Sequence, residues 1–152
     1  MESAVCCNFA CMPLVAEPFR HRISVRFNEC DPQGVVFHAN YLVYCDVAMT
    51  ELTREAFGGG YVGMIASGVD MMVAEANIRY RAPARFGDDV DLVATVTRIG
   101  TTSTVTRISA ERAGDGAVLA EVDLRHVYID TKTLEKTPIP DEMRSGLERY
   151  AG

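Results

Sequence analysis

At 152 residues, with 48% apolar and 24% charged side chains, the chain is long enough for one domain with a real core, and its composition argues against disorder. Acidic residues outnumber basic ones 21 to 15, a formal charge of −6, which disfavours a general affinity for nucleic acid or anionic membrane while leaving room for a local basic patch. No apolar run approaches a membrane span, and five cysteines without a C-x-x-C pair fit a reducing cytoplasm better than a disulfide framework or a zinc site.

The first seventeen residues, MESAVCCNFACMPLVAE, are apolar but carry neither a basic n-region nor a clear cleavage signal. They are expected to form a flexible extension, 1–17, ahead of a single domain, 18–152, with Met12 as an alternative start. Ile23 to Phe27 alternates apolar and polar as a half-buried strand does. Asp31-Pro32-Gln33-Gly34 is then a well-formed turn, with Asp at its first position, Pro fixing φ at the second and Gly at the fourth.

From about His38 to Phe57 the chain reads as a helix, with Tyr41, Cys45, Ala48, Leu52 and Ala56 on one face and Asp46, Thr50, Arg54 and Glu55 mostly elsewhere. Gly58-Gly59-Gly60 is expected to end it. Beyond the glycines the period changes to two. Strands are expected over Val69–Arg81, around Val90–Val96, over Thr101–Arg112, and from Val118 towards Asp130. The first is broken by Ala82-Pro83-Ala84-Arg85-Phe86-Gly87, and Gly114-Asp115-Gly116 marks a hairpin. Pro138 and Pro140 precede a short final helix over Asp141–Arg149. Short connections favour antiparallel pairing, so the expected architecture is α+β, one long helix on an antiparallel sheet.

Chemistry concentrates in ECDPQGVVFHANYL, Glu29 to Leu42. His38-Ala39-Asn40 opens the helix, where unpaired N–H groups and the positive end of the dipole can polarise a carbonyl oxygen. An acid beside such a helix end suits acyl transfer, by attack on the acyl carbon or by activation of water. The turn alone also accounts for Asp31, and the residues leave both readings open. Cys30 with His38 offers a thiol nucleophile but no third orienting residue. Glu29 is expected to point to solvent from a strand end, and Glu75 and Asn77 to lie at partnered or edge positions. Arg79, Arg81 and Arg85 cluster near a strand end and can receive phosphates. The sequence has no P-loop, no G-x-G-x-x-G fingerprint and no G-x-S-x-G elbow.

The run C-D-P-x-G-V-V-F-H-A-N-Y-L before a helix, with Tyr80-Arg81-Ala82-Pro83-Ala84-Arg85-Phe86-Gly87-Asp88 downstream, resembles the 4-hydroxybenzoyl-CoA thioesterase family of the hotdog fold, which includes the Tol-Pal-associated short-chain acyl-CoA thioesterases. The likeness extends from roughly Phe19 to the C-terminus. It implies a long central helix wrapped by a roughly five-stranded antiparallel sheet, homodimers or homotetramers with active sites at the subunit interface, and acyl-CoA hydrolysis with no metal and no cofactor, CoA being part of the substrate. It places the catalytic aspartate on Asp31, the carbonyl-polarising N–H on His38, Gly34 in the same loop, and substrate contacts at Asn40, Tyr41 and Asp46. His38 matches the Tol-Pal-associated group and stands where the hydroxybenzoyl-type enzyme has tyrosine. Asp46 stands where that enzyme has the acid that receives a phenol. A second hotdog arrangement uses a glutamate on the central helix, for which Glu51 and Glu55 are the candidates, but the match to the aspartate-loop type is better. An acyl-carrier-protein thioester is the alternative substrate, and a non-catalytic acyl-CoA-binding module the alternative function.

Overall fold

Period-two alternation builds five strands, and all of them pair antiparallel in a single sheet of order β1-β3-β4-β5-β2. The computed structural model describes residues 16–152, so residues 1–15 of the expected extension, with Cys6, Cys7 and Cys11, lie outside the described residues. The elements are β1 (Phe19–Ser24), a single 3₁₀ turn (Phe27–Glu29), α1 (Asn40–Ala56), α2 (Gly60–Ala66), β2 (Val69–Tyr80), β3 (Asp89–Ile99), β4 (Ser103–Arg112), β5 (Val118–Asp130) and α3 (Asp141–Glu148). One long helix on a five-stranded antiparallel sheet is the hotdog fold that the resemblance implies.

The α1 stripe is buried as its spacing requires: Tyr41, Tyr44, Cys45, Ala48, Met49, Leu52 and Ala56 all face the sheet. The sheet answers with Val90, Leu92, Ala94 and Val96 of β3, Ile108 and Ala110 of β4, and Ala120, Val122 and Leu124 of β5. Its other face carries cross-strand ion pairs, Arg22–Asp91 at 2.7 Å, Arg107–Asp123 at 2.9 Å and Arg81–Glu121 at 2.7 Å. Exposed pairs of this kind add little stability, but they set which arginines remain free.

Helix α2 departs from the sequence reading, which ends the helical region at the glycines. Gly59 and Gly60 do turn the chain with positive φ, but the turn feeds a second helix rather than a strand. Two glycines give α2 poor intrinsic propensity, and packing overrides it. Met64 is fully buried, and Gly63 lies so close beneath the Gly58 carbonyl that a Cβ there would stand 2.6 Å from its oxygen. Helix α3 closes the far end of α1 through buried Met143 and Leu147, while the Glu142 carboxylate accepts the Gly58 N–H at 2.7 Å.

The two sheet edges are unlike. β1 is short, whereas β2 runs twelve residues with only β5 beside it, and Met72 and Val73 there are more than half exposed. Among the described residues, no helix is long and apolar enough to cross a membrane.

Candidate active site

The Glu29–Asn40 loop is tied down by its own backbone. Cys30 and Val36 form an isolated antiparallel bridge, with Asp31 N–H donating to the Val35 carbonyl and Phe37 N–H to the Glu29 carbonyl, both at 2.9 Å. Within the turn, Gly34 N–H donates to the Asp31 carbonyl at 2.9 Å, and Gln33 N–H donates to Asp31 Oδ1 at 2.8 Å. Gly34 sits at φ +74°, a conformation that favours glycine. One carboxylate oxygen of Asp31 is thereby held, and the other oxygen of the half-buried side chain has no hydrogen-bond partner among the described residues. Asn40 braces the loop from the helix start, its amide donating to the Glu29 carbonyl at 2.8 Å. Val36 N–H donates to Ala84 at 2.9 Å, which fastens the loop to the β2–β3 connection.

Glu29 does not point to solvent as the sequence suggests. It is buried, accepting from Arg26 N–H and Tyr44 Oη, both at 2.8 Å, and from the Arg26 guanidinium. Burial works to raise its carboxyl pKa, but the Arg26 backbone N–H, the Arg26 guanidinium and the Tyr44 hydroxyl outweigh burial and hold it below the ordinary value of 4.5. A folded-state pKa below the unfolded one contributes stability that is present above pH 4.5 and is lost as pH falls through the folded value. Glu29→Gln should therefore cost about 1–2 kcal/mol near neutrality. In urea unfolding from pH 7 to 3, the gap between the two proteins should narrow below about pH 4.5. A gap that stays constant to pH 3 would show that charge on Glu29 is not what stabilises the loop.

A pocket of about 290 Å³ opens at the start of α1, lined by Val36, His38, Tyr41, Tyr80, Arg81, Ala82 and Pro83. The His38 and Ala39 N–H groups have no acceptor among the described residues. Their peptides are nonetheless fixed: the Phe37 carbonyl accepts Asn40 N–H at 2.9 Å, and the His38 carbonyl accepts the Tyr80 hydroxyl at 3.0 Å. A hydroxyl donating to that carbonyl polarises the His38–Ala39 peptide and strengthens its N–H as a donor. The His38 imidazole is exposed and packs against the Phe37 and Tyr80 rings.

Of the residues singled out from sequence, this pocket brings together His38, Tyr41 and Arg81. Tyr41 is buried and its hydroxyl accepts the Ala84 N–H at 3.2 Å. Asp31 and Gly34 stand on the same loop but outside the pocket lining, and the Arg85 guanidinium lies over Gly34. Arg81 is occupied by Glu121, while Arg79 is exposed on β2 and Arg85 enters no ion pair among the described residues. Glu75 is exposed on β2 and pairs with Arg125. Asp46 lines a separate chamber with His126. Burial pushes the Cys45 thiol up to about 12, with the Asp46 charge adding to it, so it is an inert core group, and Cys30 is half-buried and free. Among the described residues, no group of three or more His, Cys, Asp or Glu side chains is placed to hold a metal ion. Sequence reasoning missed Tyr80 as a site residue, although it ends a strand whose partner register points it back at the helix start.

The model of the thioesterase-like superfamily matches residues 25–147, spanning the loop, the helix and every strand but β1. The chain belongs to the thioesterase-like superfamily. Within it, the acyl-CoA thioester hydrolase YbgC of Escherichia coli is 27% identical over 122 residues, 80% of this chain and 90% of its own length. YneP of Bacillus subtilis is 39% identical over 69 residues, 45% of this chain, and the match spans only 49% of that relative. A hypothetical protein of Thermus thermophilus, TT1821, superposes with a TM-score of 0.77 at 32% identity, covering 86% of this chain and 98% of its own. The aspartate loop described above thus sits inside the matched region of a thioesterase-like protein.

Proposed function

We propose that this thioesterase-like protein hydrolyses small acyl- or aroyl-CoA thioesters to the free acid and CoA. The observation that carries the reading is a fixed carboxylate and a helix start with two N–H groups that have no acceptor among the described residues, in one short loop. YbgC, named an acyl-CoA thioester hydrolase, supports the substrate class. In this reading the free oxygen of Asp31 attacks the acyl carbon and expels CoA as thiolate, and water then opens the mixed anhydride. In the other course open to it, Asp31 takes a proton from the water that attacks. Either way negative charge grows on the carbonyl oxygen, where the N–H groups of His38 and Ala39 receive it. Tyr80 acts as a positioning residue through the His38 carbonyl. Arg85, which has no ion pair among the described residues and lies beside the turn, is better placed than Arg81 to meet a CoA phosphate.

Loss of thioester absorbance over a panel of short, long and aromatic acyl-CoAs tests this directly. Turnover of one class identifies it, and turnover of carrier-protein esters alone would move the proposal to that carrier. No hydrolysis of either kind would sink the enzymatic reading.

The proposal includes a homodimer joined along β2. A long edge strand with exposed Met72 and Val73 and no strand on its outer side among the described residues is a liability that proteins cover, and exposed Leu42 and Val43 on α1 add to the apolar surface of the domain. Sedimentation at micromolar concentration should give at least twice the chain mass, and Met72→Lys should lower it. A wild type that sediments as a monomer removes the interface from the proposal.

A further inference from the structure

The segment that presents the His38 and Ala39 N–H groups is a turn from Phe37 to Asn40, and both of its ends are fastened to one atom. Phe37 N–H and the Asn40 side-chain amide donate to the same Glu29 carbonyl oxygen, at 2.9 and 2.8 Å. Asn40 N–H closes the turn on the Phe37 carbonyl at 2.9 Å, so the N–H pair stands between the two anchors. From that same Glu29 peptide the chain runs through Cys30, bridged to Val36, into Asp31. The position of one peptide oxygen therefore sets how the N–H pair lies relative to the carboxylate.

What holds that oxygen is the side chain of its own residue. Oε2 of buried Glu29 accepts the Arg26 N–H and the Tyr44 hydroxyl, both at 2.8 Å, and Oε1 accepts Arg26 Nε at 2.8 Å. Glu29 N–H donates in turn to the Arg26 carbonyl at 3.1 Å. A residue pinned through side chain and main chain cannot rotate its peptide without breaking charge-assisted hydrogen bonds in a buried setting. Tyr44 lies one turn into α1, and neither it nor Arg26 lines the pocket at the helix start. We infer that Tyr44 and Arg26 are positioning residues for thioester cleavage, acting through Glu29, whose carbonyl holds the His38 and Ala39 N–H groups in register with Asp31.

The inference rests on the thioesterase reading above and deepens it. Donors at a helix start accelerate the reaction only if they meet the carbonyl oxygen where its charge develops, and a displacement of about 1 Å can cost on the order of a hundredfold. An interaction realised in the transition state alone lowers kcat when it is lost and leaves KM in place. A merely structural role for the Glu29 carboxylate would appear as earlier melting, with the rate per folded molecule unchanged.

Two readouts separate the clamp from the activity it serves. In the first, Tyr44→Phe and Arg26→Gln are assayed by thioester absorbance on the acyl-CoA that the wild type cleaves best. Each should lower kcat by roughly tenfold with KM moved less than about twofold. Gly146→Ala, which strains α3 against Ala56 and touches no part of the loop, is the control for lost stability and should keep the wild-type kcat. In the second, ketone analogues of acetyl-CoA and benzoyl-CoA, with methylene in place of the thioester sulfur, are bound to the intact protein and their carbonyl stretch is read by infrared difference spectroscopy. The N–H pair should lower that frequency in the wild type, and both variants should lose much of the shift while binding the analogues as before. Should Tyr44→Phe fail to fold, Arg26→Gln decides alone, because its side chain is 70% exposed and its loss opens no cavity. A carbonyl shift that depends on Tyr44 and Arg26 in a protein that cleaves no thioester would overturn the thioesterase reading and leave the clamp standing. Cleavage at the wild-type rate by the variants, or a fall in rate matched by Gly146→Ala, would overturn the clamp. A wild type that leaves the carbonyl frequency unshifted would overturn it as well.

Discussion

Asp31→Asn should reduce kcat/KM for the best acyl-CoA at least about a hundredfold, equivalent to roughly 2.7 kcal/mol of transition-state stabilisation. The substitution separates the two readings of this residue. Asparagine keeps a side-chain oxygen where Oδ1 accepts the Gln33 N–H, so the turn and its Gly34 hydrogen bond persist. What disappears is the charge, and with it the capacity to attack a carbonyl carbon or to take a proton from water. The fold should therefore melt as the wild type does while turnover falls. A mutant that retains the wild-type rate would make Asp31 a turn residue and nothing more. The assay should follow thioester absorbance, because a thiol-trapping dye would also report the protein's own free cysteines.

The largest effect on stability is expected at Gly146. In an exposed helix, Gly→Ala gains about 1 kcal/mol through helix propensity. At this position the sign reverses. A Cβ on Gly146 would be driven into the backbone of Ala56, against its carbonyl oxygen, carbonyl carbon and Cα. None of these atoms can rotate away, so relief requires α3 to lift from α1 and to loosen buried Met143 and Leu147. Gly146→Ala should cost about 2–3 kcal/mol net and lower Tm by roughly 5–10 °C. Gly114→Ala is the control, since nothing lies within 4 Å of a Cβ there, and it should be close to neutral. Equal melting of the two variants would mean that the helix contact yields without cost.

The strands and the central helix were legible because burial imposes periods of two and 3.6 on the residues themselves, and the α1 stripe from Tyr41 to Ala56 is the plainest case. Helix α2 was not legible, because Gly58-Gly59-Gly60 reads as a stop and what holds the helix is the burial of Met64. Glu29 was misread for a related reason. Its partner Arg26 is three residues away, but the hydroxyl that completes its shell belongs to Tyr44, fifteen residues on, and only the folded loop brings them together. The Asp31 loop was visible through its turn chemistry, whereas the Tyr80 hydroxyl on the His38 carbonyl depends on a contact between residues 42 positions apart. His126 left a usable signal: the inward alternation Ala120, Val122, Leu124 continues to it, placing a polar ring where the parity demands an apolar one.

Within the loop that carries Asp31, the turn itself is fastened by bonds that begin and end between Glu29 and Asn40, with outside struts from Ala84, from Tyr80, and from Arg26 and Tyr44 onto Glu29. The residues around His126 lie on other elements, α1, α2, β2 and β5. Heritable change can therefore act on the two separately. Substitutions among Met49, Thr50, Tyr61, Met71 and Val73 can reshape that chamber while the bonds that hold the Asp31 turn stay intact, so the two regions are free to diverge independently.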